Sequence, residues 1–208
     1  MPKRSIVYID GFNLYYGAVR NTAWKWLNLE KYFALVRPDD DIQRIHYFTA
    51  LIDGPHRPNQ ETFLAALGTL PKVTVVLGRY MYKPMTCRVQ PCTFAGKRAF
   101  MRPEEKQTDV NIALQMLDDA YRGLAERFVL VTGDSDLVPA ISLVRSRFPD
   151  IEHVVYVPNN HPSRGAAVEL RSAADKARNL PLVELRHAQF PVTVMGSGNR
   201  AIVKPRDW

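Results

Sequence analysis

Cysteine is nearly absent from this chain: Cys87 and Cys92 are the only two. Four residues separate them, so they do not make the C-x-x-C of a redox pair, and a full zinc site would need further ligands. They read as reduced thiols, with a local zinc or disulfide clip as the lesser alternative. No apolar run reaches the roughly 18 residues of a membrane span, so no membrane partner is expected. Met1-Pro2-Lys3-Arg4-Ser5 leads straight into a strand without the apolar region and cleavage site of a secretory signal. The expected compartment is the cytoplasm. No G-x-G-x-x-G follows the first strand, which argues against a dinucleotide fold. Internal repeats and linkers are also missing.

What remains is an ordinary globular composition over 208 residues, 46% hydrophobic and 24% charged. That length suits one α/β domain with a core that needs no disulfides. A net charge of +7 and a pI near 9.5 point to a polyanionic partner, nucleic acid first.

Apolar, β-branched runs predict strands over residues 4–9, Ile42 to Ile52, Val73 to Leu77, Phe128 to Thr132 and Val154 to Val157, with a short last strand at Leu182–Leu185. The third strand is expected to continue irregularly through Tyr82. Helical spacing predicts a helix straight after Asp10-Gly11, then Leu27 to Val36 capped by Asn28, 59–69, Pro103 to Tyr121, 136–147 and Ala166 to Ala174. In the long helix Pro103 takes the first turn, and Val110, Ala113, Leu114 and Leu117 form the apolar face. The alternation predicts a mostly parallel sheet with helices on both faces. Residues 1–185 form the domain. Residues 83–103 are a basic hairpin or loop insertion without an acidic residue, in which Lys83, Arg88, Lys97, Arg98 and Arg102 interleave with Phe94 and Phe100. Residues 186–208 are an extension, a ribbon or partly disordered.

Two strands deliver an Asp at the carboxyl end: Asp10 in Tyr8-Ile9-Asp10-Gly11-Phe12-Asn13, and Asp134 in Thr132-Gly133-Asp134-Ser135-Asp136. Ligands of open α/β sheets sit at that end, at the switch point of strand order. If the first and fourth strands are neighbours there, Asp10 and Asp134 converge, Asp136 lies just beyond, and Asp109 faces the same crevice. Clustered carboxylates stay ionised when cations compensate them, and an oxygen-only set suits Mg²⁺ or Mn²⁺. Asn13 and Thr132 are placed to orient a carboxylate or a water. Lys106, one turn before Asp109, is placed to hold a phosphate. Each Asp also has a plainer reading as a helix cap or dipole residue. Asp39, Asp40, Asp41, Asp118 and Asp119 read as solvated charges.

The motifs Tyr8–Asn13, Glu105-Lys106-Gln107-Thr108-Asp109-Val110 and Thr132–Asp136 resemble, in order and spacing, those of the NYN domain family of the PIN-like nuclease superfamily. The middle motif departs from the family's E-K-G-V-D-V at Gln107-Thr108, and the last departs from S-G-D-S-D-F at Thr132 and Leu137. No carboxylate is lost. The resemblance implies a PIN-like (Rossmann-like) three-layer α/β/α sandwich and metal-dependent endoribonuclease activity. Asp10, Asp109, Asp134 and Asp136 would be the metal-binding acids, with Asn13 in the pocket. Expected RNA contacts are Lys106, Thr132, Ser135, Arg79, Lys97, Arg98 and Arg102. RNA is the expected partner, and a second copy of the chain is the other candidate. The alternatives are a non-catalytic RNA-binding module and a phosphotransfer domain. The third strand ends in Gly78-Arg79 rather than a phospho-acceptor Asp, which disfavours the latter.

Overall fold

The computed structural model describes residues 1–158, 168–206 and 208. In chain order it contains β1 (Lys3–Asp10), α1 (Gly11–Leu14) continued by a π-helical turn (Tyr15–Val19), α2 (Leu29–Val36), β2 (Asp40–Thr49), α3 (Arg57–Leu67) and β3 (Val73–Leu77). Next come β4 (Arg79–Thr86), β5 (Ala99–Lys106), α4 (Thr108–Tyr121), β6 (Arg127–Val131), a 3-10 turn (Ser135–Leu137), α5 (Val138–Arg147) and β7 (Glu152–Val157). The chain closes with α6 (Val168–Ala173), β8 (Lys176–Asn179), a 3-10 segment (Leu182–His187), β9 (Thr193–Met195), a 3-10 turn (Ser197–Asn199) and β10 (Ala201–Val203).

Six strands form one sheet in the order β3-β2-β1-β6-β7-β8, and every neighbouring pair is parallel. The order reverses between β1 and β6, which are paired from Ser5↔Arg127 to Ile9↔Val131. The central strands read as unbroken Ile/Val/Tyr/Phe runs because both of their faces are covered. Val7, Ile9, Val129 and Val131 face α1, α2 and α3 in one core, with Tyr32 and Phe33. Ile6, Tyr8, Phe128 and Leu130 face α4, α5 and α6 in the other, with Ile112, Met116 and Ile141. The result is a three-layer α/β sandwich.

The long helix starts at Thr108, not Pro103. Residues 103–106 are drawn into β5, which pairs antiparallel with β4 from Arg79↔Lys106 to Thr86↔Ala99. Gln107, with φ 78°, turns the chain from that hairpin into α4. The helix is also rotated from expectation. Its buried face is Ile112, Met116 and Ala120, and Val110 and Leu114 point to solvent. The rotation carries Asp119 into the core, where it accepts hydrogen bonds from Tyr8 Oη at 2.8 Å and Gln115 Nε2 at 3.0 Å. Its other neighbour is His46 Nε2, at 3.5 Å.

Asp40 is likewise no solvated charge. Arg37 binds it through two nitrogens at 2.8 and 3.0 Å, Ser5 Oγ donates at 2.9 Å, and Arg127 reaches it from β6. Arg127 also binds Glu152, which Lys3 and Lys176 reach as well. These charges lock the amino ends of the strands together.

The segment at Leu182–Leu185 is 3-10 helix, and the last sheet strand is β8. Polar Lys176, Arg178 and Asn179 hid that edge strand. Of the helix expected from Ala166, the part from Val168 onward is observed, and Ala166 and Val168's predecessor lie outside the described residues together with Asn159 and Asn160. Past His187, β9 and β10 pair as an antiparallel ribbon. Trp26 Nε1 donates to the Pro191 carbonyl at 2.8 Å, and Trp208 packs on Phe63. Among the described residues, no helix is long and apolar enough to cross a membrane.

Candidate active site

The strand ends at the β1/β6 switch point are stitched together by short polar side chains. Asp10 ends β1 and caps α1: its Oδ1 accepts the Asn13 N–H at 3.0 Å. Its Oδ2 accepts from Asn13 Nδ2 and, at 3.3 Å, from Thr132 Oγ1. Asn13 Oδ1 in turn accepts the Gly133 N–H at 3.0 Å. Thr132 Oγ1 accepts the Asp134 N–H at 3.0 Å, and Asp134 Oδ1 accepts the Asp136 N–H at 3.0 Å. Asp134 therefore does cap the following 3-10 turn, while remaining at the strand end. Gly11 lets the chain turn here: a Cβ would lie 2.7 Å from the Phe48 carbonyl oxygen and 2.8 Å from Tyr47 Cζ.

The electrostatics bring Asp109 into the same group. Burial pushes its carboxyl up to about 6, and the charges of Asp10, Asp134, Glu105 and Asp136 push the same way. Asp10, only 3% exposed, is also raised, first by burial; its bonds to Asn13 and Thr132 offset part of this, and Glu105 adds to it. Glu105 escapes sequence reasoning because, two residues after Pro103, it reads as a dipole residue at a helix start. It ends up in β5, accepting the Thr108 N–H at 3.1 Å and the Thr108 hydroxyl, so it both caps α4 and joins the acids. Its signal was its position in the same motif as Asp109.

The basic residues are spread along an arm. The β4/β5 hairpin pairs Arg79 with Lys106 at its base and Lys83 with Arg102 partway out. Lys97 and Arg98 lie past the last pair, where Arg98 Nη2 donates to the Val89 carbonyl at 3.0 Å. Seven residue steps at about 3.3 Å make the paired arm roughly 23 Å long. Arg102, Lys97 and Arg98 are thus not gathered at the acids. Lys106 is a strand residue rather than a helical one, and it pairs with Glu104 at 3.0 Å. Ser135 sits between Asp134 and Asp136 at the start of the 3-10 turn. Phe12 on α1 stands edge-on to Tyr80 on the arm, with centroids 5.6 Å apart.

The family profile of the NYN domain matches residues 4–181, from the first strand past the last strand of the sheet. The chain belongs to the NYN domain family. This NYN chain is 30% identical over 239 aligned residues to 6-hydroxy-3-succinoylpyridine 3-monooxygenase HspA of Pseudomonas putida (strain DSM 28022 / S16), covering 100% of this chain and 76% of that protein. A solved structure of a protein of unknown function from Vibrio parahaemolyticus RIMD 2210633 superposes with a TM-score of 0.55 at 19% identity, over 86% of this chain and 93% of that one. That likeness is one of fold.

The donor set of the NYN centre is oxygen only. Among the described residues, no group of three or more His, Cys, Asp or Glu is close enough to hold a metal ion together. Oxygen donors that do not close on one point suit a cation that keeps several waters and takes one or two carboxylates, as Mg²⁺ does, rather than a caged ion. Asp109, Asp134 and Asp136 carry the accessible carboxylates, while much of Asp10's acceptor capacity is taken by Asn13 and Thr132.

Proposed function

We propose that this NYN domain is an endoribonuclease that cuts RNA phosphodiester bonds at the β1/β6 strand ends with Mg²⁺ or Mn²⁺. One observation carries the reading: Asp10 and Asp134 stand at the ends of the paired strands β1 and β6 and are tied through Thr132, and with Asp136 and Glu105 they add to burial in raising Asp109. Such a site gains from a divalent cation and a phosphate together. One or two of Asp109, Asp134, Asp136 and Asp10 would hold the ion beside waters and the substrate phosphate, and when bound it would lower the pKa of a coordinated water and neutralise charge on the phosphate. The chain's own part is positioning. Asn13 and Thr132 fix the Asp10 carboxylate, and Thr132 fixes the backbone of Asp134. Lys106, Arg79 and the arm's other cations hold the RNA backbone without reading sequence. Water attacks phosphorus in line and the 3′ oxygen leaves, giving 5′-phosphate and 3′-hydroxyl ends.

Denaturing-gel assays of a structured and an unstructured RNA with Mn²⁺, Mg²⁺ or EDTA test this, with Asp10→Asn and Asp134→Asn beside the wild type. Metal-dependent cutting lost in both variants is expected. RNA retention without cutting under any metal would leave an RNA-binding module instead.

The whole-chain similarity to a pyridine monooxygenase favours one second reading, an oxygenase acting on a nitrogen heteroaromatic acid. One atom of O₂ would enter the ring and the other leave as water, with two electrons from a reduced nicotinamide. Oxygen uptake that depends on both a heteroaromatic acid and reduced nicotinamide would establish it. The lack of a Gly-rich turn after β1 weighs against it.

A further inference from the structure

A cavity of about 340 Å³ lies beside the acidic centre, between α1 with its π-helical turn, the end of β2, the start of α3 and Trp208. This volume is in the range of small-ligand sites. Gly11 lines it and directly follows Asp10, and the Tyr47 hydroxyl in its wall is raised by burial and then by the charge of Asp10. The walls are aromatic: Tyr15, Tyr16, Tyr47 and Trp208 contribute. Arg20 and Lys25 supply positive charge, and among the described residues no Asp or Glu lines the space.

Two features prepare it for a planar ligand. Tyr16 stands half exposed with the Arg20 guanidinium 5.3 Å from its ring centroid, a flat cationic face on which a ring can stack. Trp208 Nε1 is buried and, among the described residues, has no hydrogen-bond partner. Gln60, by contrast, is already used: it bonds Ile52 N–H and the Ala50 carbonyl, both at 2.9 Å, and holds the wall. Phe12 lines the cavity and also touches Tyr80 of the arm, so the arm's cationic and aromatic track runs into the cavity mouth.

We infer that the cavity receives a single nucleobase of the RNA whose phosphate lies at the acids, and so selects the base beside the cut. This rests on the nuclease reading. A base and its own phosphate are joined through a single ribose, and the cavity wall at Gly11 is joined directly to Asp10 of the acids. Base stacking on aromatic faces tolerates every base, whereas the enclosed walls and an unpaired donor discriminate between base edges. The chemistry needed is an aromatic ring joined to an anion, with the anion turned toward the acids and their cation.

The test uses the full chain and two readouts. Quenching of tryptophan fluorescence by each 5′-nucleoside monophosphate, with ribose 5-phosphate as the probe lacking a base, is measured on wild type and on the exposed-site variants Tyr16→Ala and Arg20→Gln. The nucleotides are expected to bind, ribose 5-phosphate to bind at least about tenfold more weakly, and Tyr16→Ala to weaken the nucleotides by roughly tenfold. Cleavage of a mixed-sequence RNA should favour one base at a fixed position in the wild type and lose that preference in Tyr16→Ala. Equal binding of nucleotide and ribose 5-phosphate, or an unchanged Tyr16→Ala, would overturn the inference. So would binding of nicotinate, the small aromatic acid used as the comparison probe, in place of nucleotides. Cleavage without base preference and without nucleotide binding would remove the pocket and keep the nuclease. Nucleotide binding that Tyr16→Ala weakens, with no RNA cut under any metal, would keep the pocket and remove the hydrolysis.

Discussion

The side-chain oxygen of Asn13 accepts the backbone N–H of Gly133 at 3.0 Å, while the nitrogen of the same amide donates to Asp10. One amide thus sets the distance between the two acid-bearing strand ends. Asn13→Asp keeps the acceptor for Gly133 and replaces the donor by a charge facing Asp10. It is expected to cost about 1–3 kcal/mol at neutral pH in urea unfolding and to reduce RNA cleavage. A variant as stable and active as the wild type would show that the amide is dispensable.

Asp109 sets a pH dependence of its own. Its folded value is about 6, above the ordinary value of 3.8 for an Asp. Between those values the folded state binds more protons than the unfolded state, so this group makes the metal-free protein less stable as pH rises from 4 to 6. Asp109→Asn removes that charge. It should raise stability at pH 7.5 by on the order of 1 kcal/mol, leave it nearly unchanged at pH 4, and abolish cleavage. Thermal melts at the two pH values, in EDTA, check this.

Asp119 works with the opposite sign. Burial opposes its ionisation, but the nearby His46 and hydrogen bonds from Tyr8 and Gln115 outweigh burial and hold it below the usual carboxylate range. Its stabilisation is present above the unfolded value and is lost as pH falls through the folded one. Asp119→Ala leaves Tyr8 Oη and Gln115 Nε2 without their acceptor, and is expected to cost about 2–4 kcal/mol with no direct effect on the acids. Urea unfolding at pH 7 measures it.

The arm's cations should act on RNA binding and not on folding. Replacing Lys83, Arg98 and Arg102 together by Gln should lower the salt dependence of single-stranded RNA binding by about 2 in the log–log slope. The melting temperature should stay within about 1–2 °C, because these are exposed charges. Fluorescence anisotropy over a salt series gives the slope, and an unchanged slope would take the arm out of RNA binding.

The legible parts of this fold were those whose cause is local. β1, β6 and β7 announce themselves as apolar runs because both faces are covered, and Asn28 is visible as a cap and does accept the Lys31 N–H at 2.9 Å. The strand-end positions of Asp10 and Asp134 follow from the same runs. The illegible parts depend on distant partners. Asp40 sits in a run of three Asp, yet its partner Arg127 is 87 residues away. Asp119 follows an exposed Asp118, and only the rotation of α4 tells them apart. Pro103-Glu104-Glu105 has the look of a helix start, and the pairing of β5 with β4 overrides it. The same pairing moves Glu105 from an apparent helix start to the acids.

The arm leaves the sheet and returns to it at nearly one point. Gly78 follows β3, and a Cβ there would lie 2.7 Å from the Lys106 carbonyl oxygen and 2.8 Å from Thr108 Oγ1. Arg79 and Lys106 are cross-strand partners. Everything from 81 to 104 is therefore an interchangeable cassette: its length and charge can drift, or be swapped for another hairpin, while Glu105 still caps α4 and the acids stay where they are.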